Sequence, residues 1–207
     1  MRILYIDTSS SYLYSAISED NKLLCEVKKE FGHTLSEEAL PEIVSLFESN
    51  NIDAREIDKI IVVNGPGSFT GIRIGITIAK TFAWSLNIPI TTISGLEAMM
   101  LSSKEKNNYV PLIDARRKYV FAAIYNEEKQ EILKPQHIKL EKLKEKLKEL
   151  NDYIVISNDE FEEFNKIEKY NPDLLKIIDY FKDKENMNPH SVNTEYLKLT
   201  EAEESKL

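Results

Sequence analysis

The fold is decided by a stretch that the chain carries twice, first as Ile3-Leu4-Tyr5-Ile6-Asp7-Thr8-Ser9-Ser10-Ser11-Tyr12-Leu13-Tyr14-Ser15-Ala16-Ile17. An apolar run ending at Asp7, a polar turn and a returning apolar run are typical of a β-hairpin. Residues 110–124 can be laid over residues 3–17 without gaps, and five of the fifteen aligned positions are identical. We interpret this repeat as the duplication of a hairpin-led α/β lobe, the alternative being a chance likeness of two ordinary hairpins.

Length and composition limit the classes of protein that this sequence can encode. The chain has 207 residues, of which 42% are hydrophobic and 30% charged, so it can form a core and is not globally disordered. Its most apolar stretch, residues 72–86, contains Arg73 and Lys80 and is shorter than the roughly 20 apolar residues that span a bilayer. We therefore expect no membrane association.

Charge and cysteine content favour a cytoplasmic protein that does not bind nucleic acid by itself. Acidic residues outnumber basic ones by 35 to 27, a net charge of −8, so any role with RNA would require a basic partner. The single cysteine, Cys25, permits no internal disulfide, which agrees with a reducing compartment. Residues 1–7 lack the extended apolar segment of a signal peptide.

Local patterns predict two lobes, at residues 1–100 and 101–207. The first lobe begins with an antiparallel meander and continues with a strand–loop–helix–strand unit. Thr34 followed by Glu37 predicts a capping box at the start of the first helix. The predicted strands lie at residues 3–6, 12–17, 23–28, 59–63, 88–93 and 153–156, and the predicted helices at residues 35–48, 72–86 and 140–150.

Two hairpin-led lobes, each with an aspartate at the end of its first strand, predict a fold class. This is the α/β, two-lobed actin-like ATPase and sugar-kinase (ASKHA) fold, built from duplicated RNase-H-like lobes with mixed sheets, here with a reduced second lobe. In such proteins the hairpin turns approach nucleotide phosphates closely, which requires small residues. The second turn, Ala115-Arg116-Arg117-Lys118, is bulky and cationic, and no glycine follows Gly95. We therefore expect no autonomous ATP chemistry and no cofactor.

Several motifs resemble those of the TsaB (YeaZ) family and occur in family order over nearly the whole chain. The most specific is the long glycine-containing block that follows the predicted strand at residues 59–63. The motifs are Asn64-Gly65-Pro66-Gly67-Ser68-Phe69-Thr70-Gly71-Ile72-Arg73-Ile74-Gly75, Gly32-His33-Thr34, Leu40-Pro41, Ser94-Gly95-Leu96-Glu97-Ala98, Asp114-Ala115-Arg116-Arg117 and Glu195-Tyr196-Leu197-Lys198.

The resemblance implies a function in the synthesis of threonylcarbamoyladenosine at adenosine 37 of tRNAs that read ANN codons. It implies a non-catalytic subunit that forms a heterodimer with its metal-dependent paralogue TsaD and acts with the ATPase TsaE. The tRNA would then be bound only through the complex. In the TsaD family a His-x-x-x-His metal pair follows the strand equivalent to residues 88–93, whereas this chain has Ser94 and Ala98 there. We accordingly expect no metal site.

The glycine-containing block and the first hairpin turn form a candidate site. At the start of a helix this loop would be able to cradle a phosphate, but it lacks the Lys-Ser/Thr of a P-loop, and a tight structural turn is the interpretation we favour. Asp7 is either the remnant of a metal ligand or an aspartate that only forms the turn, and we favour the remnant. The candidate residues of this remnant phosphate site are Asp7, Thr8, Ser9, Gly65, Pro66, Gly67, Ser68, Gly71 and Arg73.

The two helices of the first lobe carry a candidate partner surface. Along the second helix Gly71, Gly75, Ala79 and Ala83 recur every four residues, a ridge of small residues that would let another helix approach closely. These helices either pack only on their own sheet or leave an apolar strip for two partner helices, and the same strip would form a homodimer when the partner is absent. The candidate strip consists of Leu40, Ile43, Phe47, Ile74, Gly75, Ile78, Ala79 and Phe82.

Other functions of the same fold class compete with this interpretation. A small-molecule kinase of the ASKHA fold is disfavoured by the glycine-free second lobe, and an RNase-H-like nuclease would need three or four converging carboxylates. Only Asp7 and Asp114 sit at strand ends, in different lobes. The basic turn Arg116-Arg117-Lys118 is either a solvated turn or a contact for an acidic partner surface or tRNA.

Overall fold

The protein is described here from a computed structural model that covers residues 1–198. The strands are β1 (Arg2–Asp7), β2 (Tyr12–Glu19), β3 (Lys22–Glu30), β4 (Lys59–Val63), β5 (Ile90–Ile93), β6 (Tyr109–Asp114), β7 (Tyr119–Tyr125), β8 (Glu131–Lys139), β9 (Ile154–Ser157) and β10 (Ile167–Lys169). The α-helices are α1 (Leu35–Ser49), α2 (Phe69–Leu86), α3 (Gly95–Met100), α4 (Leu140–Leu147) and α5 (Leu174–Phe181).

The two sheets have the same topology, which confirms the duplication and the actin-like fold class. One sheet has the order β3-β2-β1-β4-β5 and the other the order β8-β7-β6-β9-β10. In each, the first three strands form an antiparallel meander and the fourth and fifth add in parallel. The repeat is not perfect, since Asp7 pairs with Tyr14 whereas Asp114 pairs with Val120, so the second hairpin is one residue tighter.

The core of the first unit lies between its sheet and helices α1 and α2. Strand β4 is buried along its whole length, as its β-branched run predicts. On the opposite face of the sheet, α5 buries Leu174, Ile177, Ile178 and Phe181 and contacts β1, β2 and β3. The second unit has a separate core that includes α4.

The compact units of the structure differ from the predicted lobes, residues 1–100 and 101–207, at residues 96–100 and 173–195. The chain divides into two compact units, Met1–Gly95 with Asp173–Glu195, and Leu96–Pro172 continuing from Tyr196. The segment Asp173–Glu195 therefore belongs to the first unit, where α5 covers the sheet and Met187 bridges Ile90 at the edge strand β5. The apolar face of α5 is visible in the sequence, but a local pattern cannot indicate which sheet it covers.

A buried lysine holds this returning segment in place. The Nζ atom of Lys59, on β4, donates hydrogen bonds to the carbonyl oxygens of Lys182 and Lys184 at 2.7 and 2.9 Å, directly after α5. These carbonyls follow the last turn of α5, which the Lys59 ammonium therefore caps. Burial lowers the pKa of Lys59, while the nearby charge of Asp183 acts to raise it.

Two local predictions differ from the structure. Thr34 makes no capping hydrogen bond to α1 but donates from Oγ1 to the Phe31 carbonyl, so the predicted capping box is absent. The helix α2 begins at Phe69, three residues before its predicted start, because Ser68 caps it by accepting a hydrogen bond from the Gly71 N–H. No helix of residues 1–198 has the length and apolar content to cross a bilayer.

Candidate functional site

The first hairpin turn is organised around the buried Asp7. Its Oδ1 accepts hydrogen bonds from the backbone N–H and the hydroxyl of Ser9, at 2.8 and 2.7 Å, and its side chain is only 2% exposed. Burial raises the pKa of the Asp7 carboxyl, although the hydrogen bonds from Ser9 act to lower it. Asp7 therefore shapes the turn that follows β1, as expected of a turn-forming aspartate, the alternative to the favoured metal-ligand remnant.

The glycine-containing block is packed against this turn. The hydroxyl of Thr8 donates to the Gly71 carbonyl at 2.7 Å, and the Ser68 N–H donates to the Ser9 carbonyl at 2.7 Å. A Cβ atom added to Gly71 would lie 2.0 Å from the Thr8 carbonyl oxygen, and one added to Gly67 would lie 2.2 Å from the Ser9 carbonyl oxygen. These glycines are required by the close approach of the chain to itself.

The other end of the block is packed against the returning segment. A Cβ atom on Gly65 would lie 2.6 Å from the Glu195 carbonyl oxygen, and the Glu195 N–H donates to the Asn64 carbonyl at 2.9 Å. The Gly65 carbonyl in turn accepts a hydrogen bond from the Gly95 N–H at 2.8 Å, and Pro66 is buried beside it. Sequence reasoning did not identify the role of Glu195, because its partner is 131 positions away.

The structure brings together most of the predicted remnant phosphate site, with one exception. Thr8 contacts Gly71, Ser9 contacts Gly67 and Ser68, and Asp7 reaches the block only through Ser9. The guanidinium of Arg73 is instead exposed and stacks over the Phe69 ring at 3.8 Å. Arg73 is therefore engaged on the outer face of α2. Since the chain itself fills the space beside the glycines, the geometry favours a structural loop.

The predicted ridge of small residues faces the protein's own sheet. A Cβ atom on Gly75 would lie 2.4 Å from Thr8 Oγ1, and Ala79 and Ala83 are fully buried. The prediction that this ridge admits a partner helix is therefore wrong, because β1 and its turn already use the space. Glycine at positions 71 and 75 lets α2 pack closely on the end of β1.

The predicted partner strip divides into a buried part and an accessible part. Five of its residues lie in the core of the first unit and cannot contact a partner, namely Ile43, Phe47, Gly75, Ile78 and Ala79. The accessible residues are Leu40, which is 46% exposed, and the half-buried Ile74 and Phe82. The wide apolar arc seen in the sequence is mostly occupied by packing inside the protein.

The accessible residues lie along the line where α1 meets α2. The rings of Phe47 and Phe82 stack across it with centroids 5.9 Å apart. Val44, one turn after Leu40, is 39% exposed and extends the apolar surface. We define the α1–α2 surface as Leu40, Val44, Ile74 and Phe82. The predicted partner strip did not include Val44, because a residue one turn after Leu40 on α1 could equally be buried in the core.

The two aspartates at strand ends belong to different units. Asp7 lies in the first unit and the exposed Asp114 in the second. Within residues 1–198, no group of three or more His, Cys, Asp or Glu side chains has an arrangement that would hold a metal ion. Ser94 is 9% exposed and Ala98 is fully buried.

Comparisons with known proteins identify the family. The family model of TsaD, tRNA N6-adenosine threonylcarbamoyltransferase, matches residues 29–172. The chain is 31% identical to the tRNA threonylcarbamoyladenosine biosynthesis protein TsaB of Bacillus subtilis (strain 168), over 98% of this chain and 96% of that protein. It is also 31% identical to the TsaB of Escherichia coli (strain K12), over 66% of this chain and 64% of that protein. YeaZ from Pseudomonas aeruginosa shares the fold, with a TM-score of 0.76 at 17% identity over 95% of this chain and 99% of that one. The chain belongs to the TsaB family of tRNA threonylcarbamoyladenosine biosynthesis proteins.

Proposed function

We propose that this chain is a non-catalytic subunit that activates a TsaD-like transferase during threonylcarbamoyladenosine synthesis at adenosine 37 of tRNAs reading ANN codons. The chain pairs with the transferase as a heterodimer and acts together with a TsaE-like ATPase. In the absence of the transferase it pairs with a second copy of itself. The tRNA is bound through the assembled complex.

The observation that carries this proposal is the α1–α2 surface. A packed helix pair normally covers its apolar side chains, yet Leu40 and Val44 remain 46% and 39% exposed beside the half-buried Ile74 and Phe82. A standard interface buries about 800 Å² on each partner, with an apolar centre and a polar rim, and these four residues would form that centre. A paralogous transferase with a similar helix pair is the matching partner.

The first hairpin supports a role without chemistry. The glycine-containing block contacts Thr8, Ser9 and Glu195 of its own chain, so its glycines have structural functions. The Asp7 carboxyl is 2% exposed, and its Oδ1 accepts hydrogen bonds from Ser9 while its Oδ2 accepts one from the Tyr5 hydroxyl at 3.5 Å, so both oxygens have partners within the chain. These contacts favour a scaffold over a kinase or a nuclease.

Reconstitution tests the proposal directly. Threonylcarbamoylation of an ANN-reading tRNA is measured with the transferase, the ATPase and a further enzyme that supplies threonylcarbamoyl-adenylate, with and without this chain. The rate should fall by more than tenfold when the chain is omitted. An equal rate without it, or micromolar binding of Mg-ATP by the isolated chain in calorimetry, would contradict the proposal.

A pair of neighbouring substitutions on α1 tests the surface. Val44→Asp places a charge on the apolar α1–α2 surface and should reduce assembly with the transferase by at least tenfold, because that charge must be desolvated. Ser45→Asp changes an exposed residue one position away and should leave assembly within twofold. Equal loss in both variants, or in neither, would argue that the partner binds elsewhere.

A further inference from the structure

The second hairpin carries a patch that the proposed scaffold role does not use. Tyr119 and Phe121 alternate on β7, and in the register of the sheet they lie opposite Lys139 and His137 of β8. Residues two apart on a strand share a face, so these four side chains form one surface. We define this surface, together with the turn Arg116-Arg117-Lys118, as the β7–β8 patch.

The aromatic side chains of the patch form a stacked platform. The Tyr119 and His137 rings are 4.6 Å apart and nearly parallel, at 14°, and the Phe121 ring lies 5.4 Å from that of His137. All three side chains are half-buried, with part of each surface accessible. The opposite face of these strands supplies the core of the unit, including Val120 and Ala122.

Cations surround the platform. Lys139 is exposed, with its Nζ atom 5.8 Å from the Tyr119 ring centroid, and Arg116, Arg117 and Lys118 are exposed in the turn that leads into Tyr119. Two carboxylates lie nearby, but each is engaged with backbone. Asp114 accepts from the Arg116 N–H and Asp159 from the Asp114 N–H. These hydrogen bonds leave both carboxylates charged, but Arg116, Arg117, Lys118 and Lys139 outnumber them by four to two.

The backbone of the turn is left-handed at three consecutive residues. The φ angles of Arg116, Arg117 and Lys118 are 65°, 54° and 63°, a conformation that asparagine and glycine adopt more readily. Backbone hydrogen bonds fix it, from Ala115 to the Tyr119 carbonyl and from Tyr119 to the Arg116 carbonyl, both at 3.0 Å. The backbone conformation gives no structural reason for long cationic side chains at these three positions. We therefore infer that their positive charge serves binding.

The first hairpin has the equivalent pair of aromatic residues but lacks a basic turn and a lysine opposite the first ring. Tyr12 and Tyr14 occupy the positions of Tyr119 and Phe121, with rings stacked at 5.4 Å, but Tyr12 lies opposite Glu30 rather than a lysine. The Tyr12 hydroxyl donates to Glu30 at 3.0 Å, and the turn between the strands contains only Thr8 and serines. Tyr14 is buried and lies opposite Lys28, whose ammonium is paired with Glu26 at 3.1 Å. The first hairpin therefore has neither the basic turn nor the accessible aromatic pair of the second.

We propose that the β7–β8 patch contacts the RNA substrate of the modification complex, its cations binding phosphates and its aromatic rings an unstacked base. The inference rests on the proposed function for the identity of the RNA. Aromatic platforms bordered by lysine and arginine bind single-stranded RNA in this way. With a net charge of −8, the isolated chain binds RNA weakly, and the contact operates within the assembled complex.

The test measures binding of an unmodified ANN-reading tRNA to the complex of this chain with the transferase, by fluorescence anisotropy between 50 and 200 mM salt. The variant R116N/R117N/K118N removes three charges and favours the left-handed turn, so it should fold. We expect about tenfold weaker binding and a salt slope lower by about two or more. The matched control, K142Q/K144Q/K148Q, removes three exposed charges from and just after α4 and should stay within twofold.

A second pair of variants tests the rings. Tyr119→Leu should weaken tRNA binding about tenfold, whereas Tyr12→Leu at the equivalent position of the first hairpin should leave it within twofold. Unchanged affinity and salt slope in both patch variants would overturn the inference. It would also be overturned if R116N/R117N/K118N impaired assembly with the transferase while the assembled complex bound tRNA normally, since the patch would then bind an acidic protein surface.

The two proposals can fail separately. If tRNA modification proceeds equally fast without this chain, the proposed function is wrong. If modification requires the chain but the patch variants bind tRNA as the wild type does, only the RNA contact is wrong.

Discussion

The hydroxyl of Thr8 donates a hydrogen bond to the carbonyl of Gly71 at 2.7 Å, and the Thr8 carbonyl oxygen lies where a Cβ atom of Gly71 would be. This contact joins the turn after β1 to the first turn of α2. The glycine of this family motif therefore has a structural role in the first unit, because a side chain at position 71 would collide with the Thr8 carbonyl oxygen.

Gly71→Ala should therefore destabilise the protein. A methyl group 2.0 Å from a carbonyl oxygen forces α2 away from β1, at a cost of about 3 kcal/mol in the free energy of unfolding. Urea denaturation followed by circular dichroism measures this change. Thr70→Ala, at the exposed preceding residue, should change it by less than about 0.5 kcal/mol. A Gly71→Ala variant as stable as the wild type would show that the two elements separate easily.

Asp7→Asn should make stability less dependent on pH. Burial raises the pKa of the Asp7 carboxyl in the folded state, so above that pKa the fold contains a costly buried charge. As the pH falls through this raised pKa, the folded protein takes up a proton and the cost disappears. Asparagine keeps the acceptor for Ser9 without the charge.

The variant should accordingly be more stable than the wild type at pH 8, by about 1 kcal/mol, with the difference shrinking as the pH falls towards 5. Urea denaturation at several pH values measures it. The exposed equivalent in the second hairpin, Asp114→Asn, serves as the control and should show a smaller difference. A stability difference between Asp7→Asn and the wild type that grows as the pH falls would contradict a raised pKa of Asp7.

The sequence predicts the duplication well, because it depends on local features that the two hairpins retain. Apolar strands, an aspartate and a polar turn occur in both, and the two sheets have the same order. It predicts contacts between distant segments poorly. Residues Gly71, Gly75, Ala79 and Ala83 visibly share a face of α2, but the pattern cannot tell a partner helix from Thr8 at the end of β1.

For the candidate site too, the sequence predicted which local motifs belong together but not which residues are buried. The motif residues from Asp7 to Ser9 and from Gly67 to Gly71 do lie together. What the sequence could not supply is burial, which removes Ile43 and Ile78 from the partner surface and leaves Val44 exposed. Burial depends on how closely α1 and α2 approach each other, and residue type alone does not determine that distance.

Lys59→Met should loosen the segment that returns to the first unit. Methionine keeps the apolar stem but removes the ammonium that donates to the Lys182 and Lys184 carbonyls, leaving both without that donor. We expect a loss of about 2 kcal/mol in the free energy of unfolding and faster tryptic cleavage after Lys184. Lys22→Met, on the exposed start of β3, is the control. Unchanged cleavage would mean that α5 holds the segment alone.

The left-handed turn of the second hairpin predicts a substitution that stabilises the protein. Arg117 has a φ of 54°, which costs a residue with a Cβ atom about 1 kcal/mol relative to glycine. Arg117→Gly should therefore raise the free energy of unfolding by about 1 kcal/mol, measured in urea. The same change at Lys148, whose φ is −65°, should lower it, because glycine there only adds entropy to the unfolded chain. If Arg117→Gly lowered stability as Lys148→Gly does, the turn would carry no backbone strain at Arg117. The presence of three cations in the turn would then need no functional explanation.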